Sequence, residues 1–288
     1  MFEIVVPLDG SSEAECALPW ALAMAHAYDG NVTLLHVRAH TRGAETTYLS
    51  GLLGKLLQLR FRGTIEEREG DPAAVIVERA ASAAMLVLAT HGRGGFQRLF
   101  LGSVADRVIR QAAVPMLIVK ERVDRAATDP AAIRHIAVLL SGEPEAEAGA
   151  RRGVELATRL AAKVTFVHVA PWTAQWFAFG IPSVIPPGVD EAIERASDEY
   201  LAGAVERYAT GGVTPEYLTL RGFTADAVED WAHSAQVDLV CMTTHGRSGM
   251  RRAALGSVAD RMVRSGVAPV LVERVRHGES AGETQQSD

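Results

Sequence analysis

Short apolar runs alternate with longer amphipathic stretches from the first residues onward. "IVVPL" (Ile4 to Leu8) is a β-rich run that ends in a Gly/Ser turn. "SSEAECALPWALAMAHA" then places small and apolar residues at helical spacing. Ser12 with Glu15 has the capping-box pattern, which sets the expected helix start. Pro19 falls inside that pattern and predicts a kink or a lost backbone bond. "NVTLLHV" reads as the next strand. A variable loop and a second helix precede a strand near Thr64–Glu69. "DPAAVIVERAASA" is helical, and "MLVLAT" has the continuous apolar character of a buried strand. A glycine-punctuated stretch leads into the helix "SVADRVIRQA", and "PMLIV" closes the series. Strands alternating with helices predict a parallel sheet covered on both faces.

The whole pattern then recurs. "THGRGGFQRLFLGSVADR" from Thr90 matches "THGRSGMRRAALGSVADR" from Thr244. Over Thr90–Val119 against Thr244–Glu273, sixteen of 30 positions are identical, where chance gives about two. "IVVPLDGS" aligns with "IAVLLSGE" and "VTLLHV" with "VTFVHV" at an offset of 132. The glycine stretches have an offset of 154, so the second half carries a net insertion of 22 residues. A duplicated α/β domain follows: residues 1–123, a polar linker 124–133, a second domain 134–275 and a frayed tail 276–288.

Composition narrows the function classes. The chain of 288 residues is 48% hydrophobic and 22% charged, ordinary for a globular protein with two cores. A net charge of −6 argues against general binding of nucleic acid or an anionic membrane, yet leaves room for a local basic pocket. No apolar run approaches the ~18 residues that span a bilayer, and the first residues lack the basic region of a signal peptide. Cys16 and Cys241 are the two cysteines. They make no disulfide framework, Cys241 reads as filler in a buried strand, and a cytoplasmic setting fits.

The repeated stretch has the chemistry of an anion seat. Gly92 follows a strand, where glycine allows close approach of a ligand to backbone. Gly102 and Ser103 stand before a helix whose first N–H groups favour an anion, with Ser103 as the expected cap. Arg93 and Arg98 lie between them; Arg247, Arg251 and Arg252 do so in the second copy. Neither the Walker spacing nor the Rossmann fingerprint is present. The bland alternative is a well-made turn and cap with solvated arginines. Asp9, at the end of the first strand, suits the hydroxyls of a ribose or an adenine amine; its bland alternative is a favourable charge near a helix start.

Strand–"PLDGS", "LLHV" and HG-x9-GS before a helix resemble the universal stress protein family, here as a tandem pair covering about residues 2–120 and 134–273. The resemblance implies two five-stranded parallel sheets in order 3-2-1-4-5 and an ATP site in each half, with Mg²⁺ accompanying the phosphates. It places Pro7, Asp9 and Val37 around adenine and ribose, and Gly92, Gly102, Ser103 and Val104 near the phosphates, with Arg93 in the loop. The matching second site is Ser141, Val169, Gly246, Gly256, Ser257 and Val258. Two departures stand out: the first glycine of the family pattern is Ala89 in one half and Thr243 in the other, and Ser141 replaces the aspartate. The first half is therefore the expected better site. The competing expectations are a nucleotide-free interaction scaffold with decayed sites and a weak ATPase, for which His91 and His245 adjoin the glycine loops. The last strands would pair within the chain as a pseudo-dimer, or between chains as a homodimer. Trp172, Trp176, Phe177 and Phe179 in the insertion 171–190 suit packing between domains or subunits, a lid, or a partner patch. His36 and His168 are repeat partners, but no metal-ligand spacing links the histidines.

Overall fold

Ten strands form one continuous sheet in a computed structural model that describes residues 1–38, 45–90, 101–120, 130–171, 186–244 and 256–274. The first half runs β1 (Glu3–Pro7), α1 (Ser12–Glu15), α2 (Leu18–Tyr28), β2 (Asn31–Arg38), α3 (Glu45–Gln58), β3 (Arg62–Glu69), α4 (Pro72–Ala80), β4 (Met85–Ala89), α5 (Ser103–Gln111) and β5 (Met116–Val119). The second runs β6 (His135–Leu139), a 3₁₀ turn (Pro144–Ala146), α6 (Glu147–Leu160), β7 (Lys163–Ala170), α7 (Val189–Tyr208), β8 (Glu216–Arg221), α8 (Thr224–Ser234), β9 (Leu239–Thr244), α9 (Ser257–Ser265) and β10 (Val270–Arg274).

The strand order is β3-β2-β1-β4-β5-β10-β9-β6-β7-β8. Each half has the expected 3-2-1-4-5 order, with parallel neighbours. The two five-stranded halves join edge to edge through their last strands, the pairing within the chain that the sequence made one of its expectations. β5 and β10 pair antiparallel, with Leu117 opposite Leu271, its repeat equivalent. A local pseudo-two-fold axis therefore passes between these leucines. Each final strand would otherwise leave an unpaired edge, and the other half's copy satisfies it. The pseudo-dimer forms inside the chain, so this edge is not open to a second copy.

Alternation along the strands divides the core into two layers. Ile4, Val6, Val87, Val138 and Cys241 face α2, α3, α6 and α7. Val5, Leu86, Leu88, Val240 and Met242 face α4, α5, α8 and α9. Pro19 breaks the first helical pattern outright. α1 ends at Glu15 and α2 begins at Leu18 with the proline in its first turn, where the missing N–H costs no helical bond. The cap is Ser11 rather than Ser12: its hydroxyl accepts from the Ala14 amide at 3.1 Å.

α2 is apolar on nearly every side because it is covered from both halves. Tyr28 at its end stacks on Phe2 (4.1 Å between ring centroids), and the Arg159 guanidinium lies 4.6 Å from its centroid. Arg152 reaches the Tyr28 hydroxyl at 3.3 Å and Glu273 at 2.5 Å. Burial pushes the Tyr28 phenol up to about 12. The end of the expected linker also packs: Ala131 and Ile133 are buried, and the Ala131 amide donates to the Pro19 carbonyl at 2.8 Å. Residues 121–129, the aromatic insertion at 172–185 and the tail from 275 lie outside the described residues.

Candidate functional site

Parallel strands bring the ends of β1 and β4 side by side, and there the topology reverses. The chain moves outward from β1 through β2 to β3, then returns to β4 and β5 on the other side. Crevices of this kind, beyond the carboxyl ends of the strands, are where open α/β sheets take ligands. Pro7 ends β1, Val37 lies near the end of β2 and Ala89 ends β4, so all three stand at one crest.

The turn after β1 is tightly specified. Gly10 adopts φ +81°, a conformation costly for other residues. Asp9 Oδ1 accepts from the Ser11 amide at 3.0 Å and from its hydroxyl at 2.5 Å. The buried His36 Nδ1 lies 2.7 Å from the Leu8 carbonyl. A carbonyl only accepts, so Nδ1 carries the proton and the histidine pins the crest. The second half repeats the device: Gly142 has φ +86°, Ser141 Oγ accepts from the Glu143 amide at 3.4 Å, and His168 Nδ1 meets the Leu140 carbonyl at 2.7 Å.

α5 starts beside the end of β4. The Gly102 amide donates to the Thr90 carbonyl at 2.8 Å, closing the loop between them. The Asp106 amide donates to the Gly102 carbonyl at 2.8 Å, so Gly102 is the cap residue, and it offers no side chain. Ser103, the expected cap, is instead the first helical residue. A serine there cannot fold back onto the second or third amide of its own helix. The amides of Ser103, Val104 and Ala105 therefore find no intrahelical acceptor, and the positive end of the helix dipole faces the crest. α9 repeats this, with Gly256 at the cap and Ser257 and Val258 following. Both helices are braced sideways by ion pairs of the equivalent arginines: Arg107 with Asp71 (2.9 Å), the cap residue of α4, and Arg261 with Asp226 (2.6 Å), in the first turn of α8.

The halves differ at the end of the fourth strand. Thr243 Oγ1 accepts from the Gly149 amide at 3.0 Å and lies 3.3 Å from the Ala146 carbonyl. It acts as a cap for α6, whose own cap residue, Ala146, supplies no side-chain oxygen. The first half uses Ser11 for the same task, and its equivalents of Thr243 and Gly149 are Ala89 and Ala17. The Thr243 hydroxyl thus points to α6. Next to it, Thr244 Oγ1 is buried on the opposite face and has no hydrogen-bond partner among the described residues. Val169 lies near the end of β7, as Val37 does on β2.

The structure therefore gathers Pro7, Asp9, Val37, Ala89, Gly102, Ser103 and Val104 at one crest, and Ser141, Val169, Thr243, Gly256, Ser257 and Val258 at the other. Gly92, Arg93, Gly246, His91, His245 and the remaining loop arginines lie outside the described residues. Sequence reasoning missed Ser11, Thr90 and Gly149. The first two sit in the repeated motifs, whereas Gly149 is legible only beside its partner Thr243.

A sequence model of the universal stress protein family matches residues 1–120 and again 132–274. A universal stress protein of Mycolicibacterium smegmatis is 27% identical, with 96% of this chain and 98% of that one covered. One from Mycobacterium tuberculosis is 30% identical over 70% of this chain and 66% of its own length. Among solved structures, a universal stress protein of Archaeoglobus fulgidus superimposes with a TM-score of 0.66 at 15% identity, covering 94% of this chain and 98% of that one. A Pseudomonas aeruginosa protein gives 0.71 at 16% identity, covering 94% and 92%. With both halves matched by the same family, the chain belongs to the universal stress protein family as a tandem two-domain member.

Proposed function

We propose that the chain binds an adenine nucleotide, ATP, at the crest of β1 and β4 in its first half, and that occupancy sets its conformation or choice of partner. The observation that carries this reading is the uncapped start of α5, fastened by its Gly102 amide to the end of β4. Three amides and a helix dipole aimed at a topological switch point suit a phosphate chain. Asp9, held by Ser11, suits the ribose or the adenine amine. Mg²⁺ would arrive on the phosphates.

The second half keeps the uncapped helix, but has Ser141 in place of the carboxylate. We read it as the weaker seat. Competition titration with ATP tests the assignment. Asp9→Ala should weaken binding by about ten-fold or more, as expected for loss of a charged acceptor. Ser141→Ala should change it little. Equal losses from the two variants would contradict the unequal sites.

A further inference from the structure

The final strands do more than close the sheet. β10 ends in Arg274, whose guanidinium donates through Nη2 to the Ile109 carbonyl in the last turn of α5, in the other half. β5 is followed by Lys120, the repeat equivalent of Arg274. Its ammonium donates to the Arg264 carbonyl at 2.5 Å and approaches the Ser265 carbonyl at 3.4 Å, at the end of α9. These are carbonyls of final turns, which lack intrahelical donors and carry the negative end of the dipole.

We propose that Lys120 and Arg274 are reciprocal positioning residues, each crossing the pseudo-two-fold axis to hold the helix that forms the other half's anion seat. The seat assignment rests on the nucleotide reading above; the cross-half hold does not.

Three further features fit this role. Arg274 is partly buried, and among the described residues its Nε has no hydrogen-bond partner and no carboxylate pairs with it. The end of α5 is its counter-charge. Gly266 ends α9 at φ +66°, and a Cβ there would lie 2.3 Å from Lys120 Cδ, so the turn leaves room for the lysine stem. Finally, Arg274 pairs in register with Thr244, at the root of its own half's glycine loop. Each cation thus stands at one crest and grips the helix that serves the other.

Hydrogen exchange on the full chain, without and with ATP, tests this. Arg274→Met should raise exchange in α5 by about ten-fold and leave α9 unchanged. Lys120→Met should do the reverse. Arg274→Lys should restore protection, because lysine performs this task at position 120. Arg274→Met should also weaken ATP binding in the first half by about two- to five-fold, the scale of a helix-end charge. The proposal is overturned if exchange rises in the helix of the mutated residue's own half, in both helices, or in neither. It is also overturned if Arg274→Lys is as exposed as Arg274→Met, or if ATP affinity is unmoved while α5 loosens. A wild-type protein that binds no ATP would sink the nucleotide reading alone, and the exchange pattern would still decide the cross-half hold.

Discussion

Gly149 and Thr243 are 94 residues apart in sequence yet behave as one unit, and a double-mutant cycle can measure it. Thr243→Ala removes the oxygen that accepts from the Gly149 amide at 3.0 Å. A buried amide left without a partner costs about 1–3 kcal/mol, and a lost cap typically costs about 1 kcal/mol. About 1.5 kcal/mol is the expected loss for the single change. Gly149→Ala alone brings two opposed effects. Alanine gains about 1 kcal/mol of helix propensity, but its Cβ would lie 3.1 Å from Thr243 Oγ1 and 3.5 Å from the backbone of Met242 and Thr243. The threonine must shift and its hydrogen bond stretch, so the gain is cancelled or reversed. In the Thr243→Ala background the oxygen is gone and the propensity gain is recovered. The double variant reproduces the Ala17 and Ala89 pair of the first half. Urea midpoints of the four proteins should therefore show a coupling of about 1 kcal/mol, with Gly149→Ala more favourable when residue 243 is alanine. Additive effects would refute the idea that glycine at 149 makes room for the cap.

Two other outcomes follow from the packing. Arg79 bridges Glu66, at 2.5 Å, and Glu3, which also accepts from Thr33 at 2.8 Å. Burial pushes both carboxyls up, but the Arg79 hydrogen bonds outweigh it and hold them below the usual range. Groups depressed in the folded state stabilise it above their unfolded pKa and lose that contribution as pH falls through the folded value. Thermal stability should drop from about pH 4.5 downward, and Arg79→Met should lose less over the same acid titration than the wild type; a parallel decline would refute the assignment. Glu273→Gln removes the more buried of the two carboxylates on the half-buried Arg152 at the junction of the halves, leaving Glu155 at 3.0 Å. With Glu155 still in place it should lower the unfolding free energy by about 1–2 kcal/mol, measured in urea, and Arg152→Met in the same chain should recover part of that loss.

Local features of the fold were readable without coordinates because their causes are local. The period-two and helical patterns gave the strand order's ingredients, and the internal repeat gave two copies of it. Pro19 marked a real break. The capping pattern pointed one residue too far along, to Ser12, because Ser11 is also drawn into the turn by Asp9. Ser103 was expected to cap α5, yet Gly102 holds that position. A glycine–serine pair fits either reading until the carbonyl that accepts the first helical bond is known. The role of Thr243 was hidden for a different reason: its partner lies on a remote helix, and a threonine at the end of a strand carries no mark of a distant amide. The crossing of Lys120 and Arg274 was equally illegible, since it depends on β5 and β10 pairing antiparallel. The repeat made that pairing conceivable, but neither its register nor the reach of the side chains is encoded locally.

Gly102→Asp puts the central claim at risk in a single variant. Gly102 has φ −58° and ψ 145°, which aspartate adopts freely at a helix cap. Its carboxylate would accept from the amides that open α5 and place a negative charge where a phosphate would sit. Calorimetric titration with ATP beside a thermal melt gives both readouts. The account predicts affinity lowered by at least about ten-fold while the melting temperature holds or rises by about 2 °C. ATP binding as tight as in the wild type, on a helix stabilised by its new cap, would mean that the start of α5 is no phosphate seat.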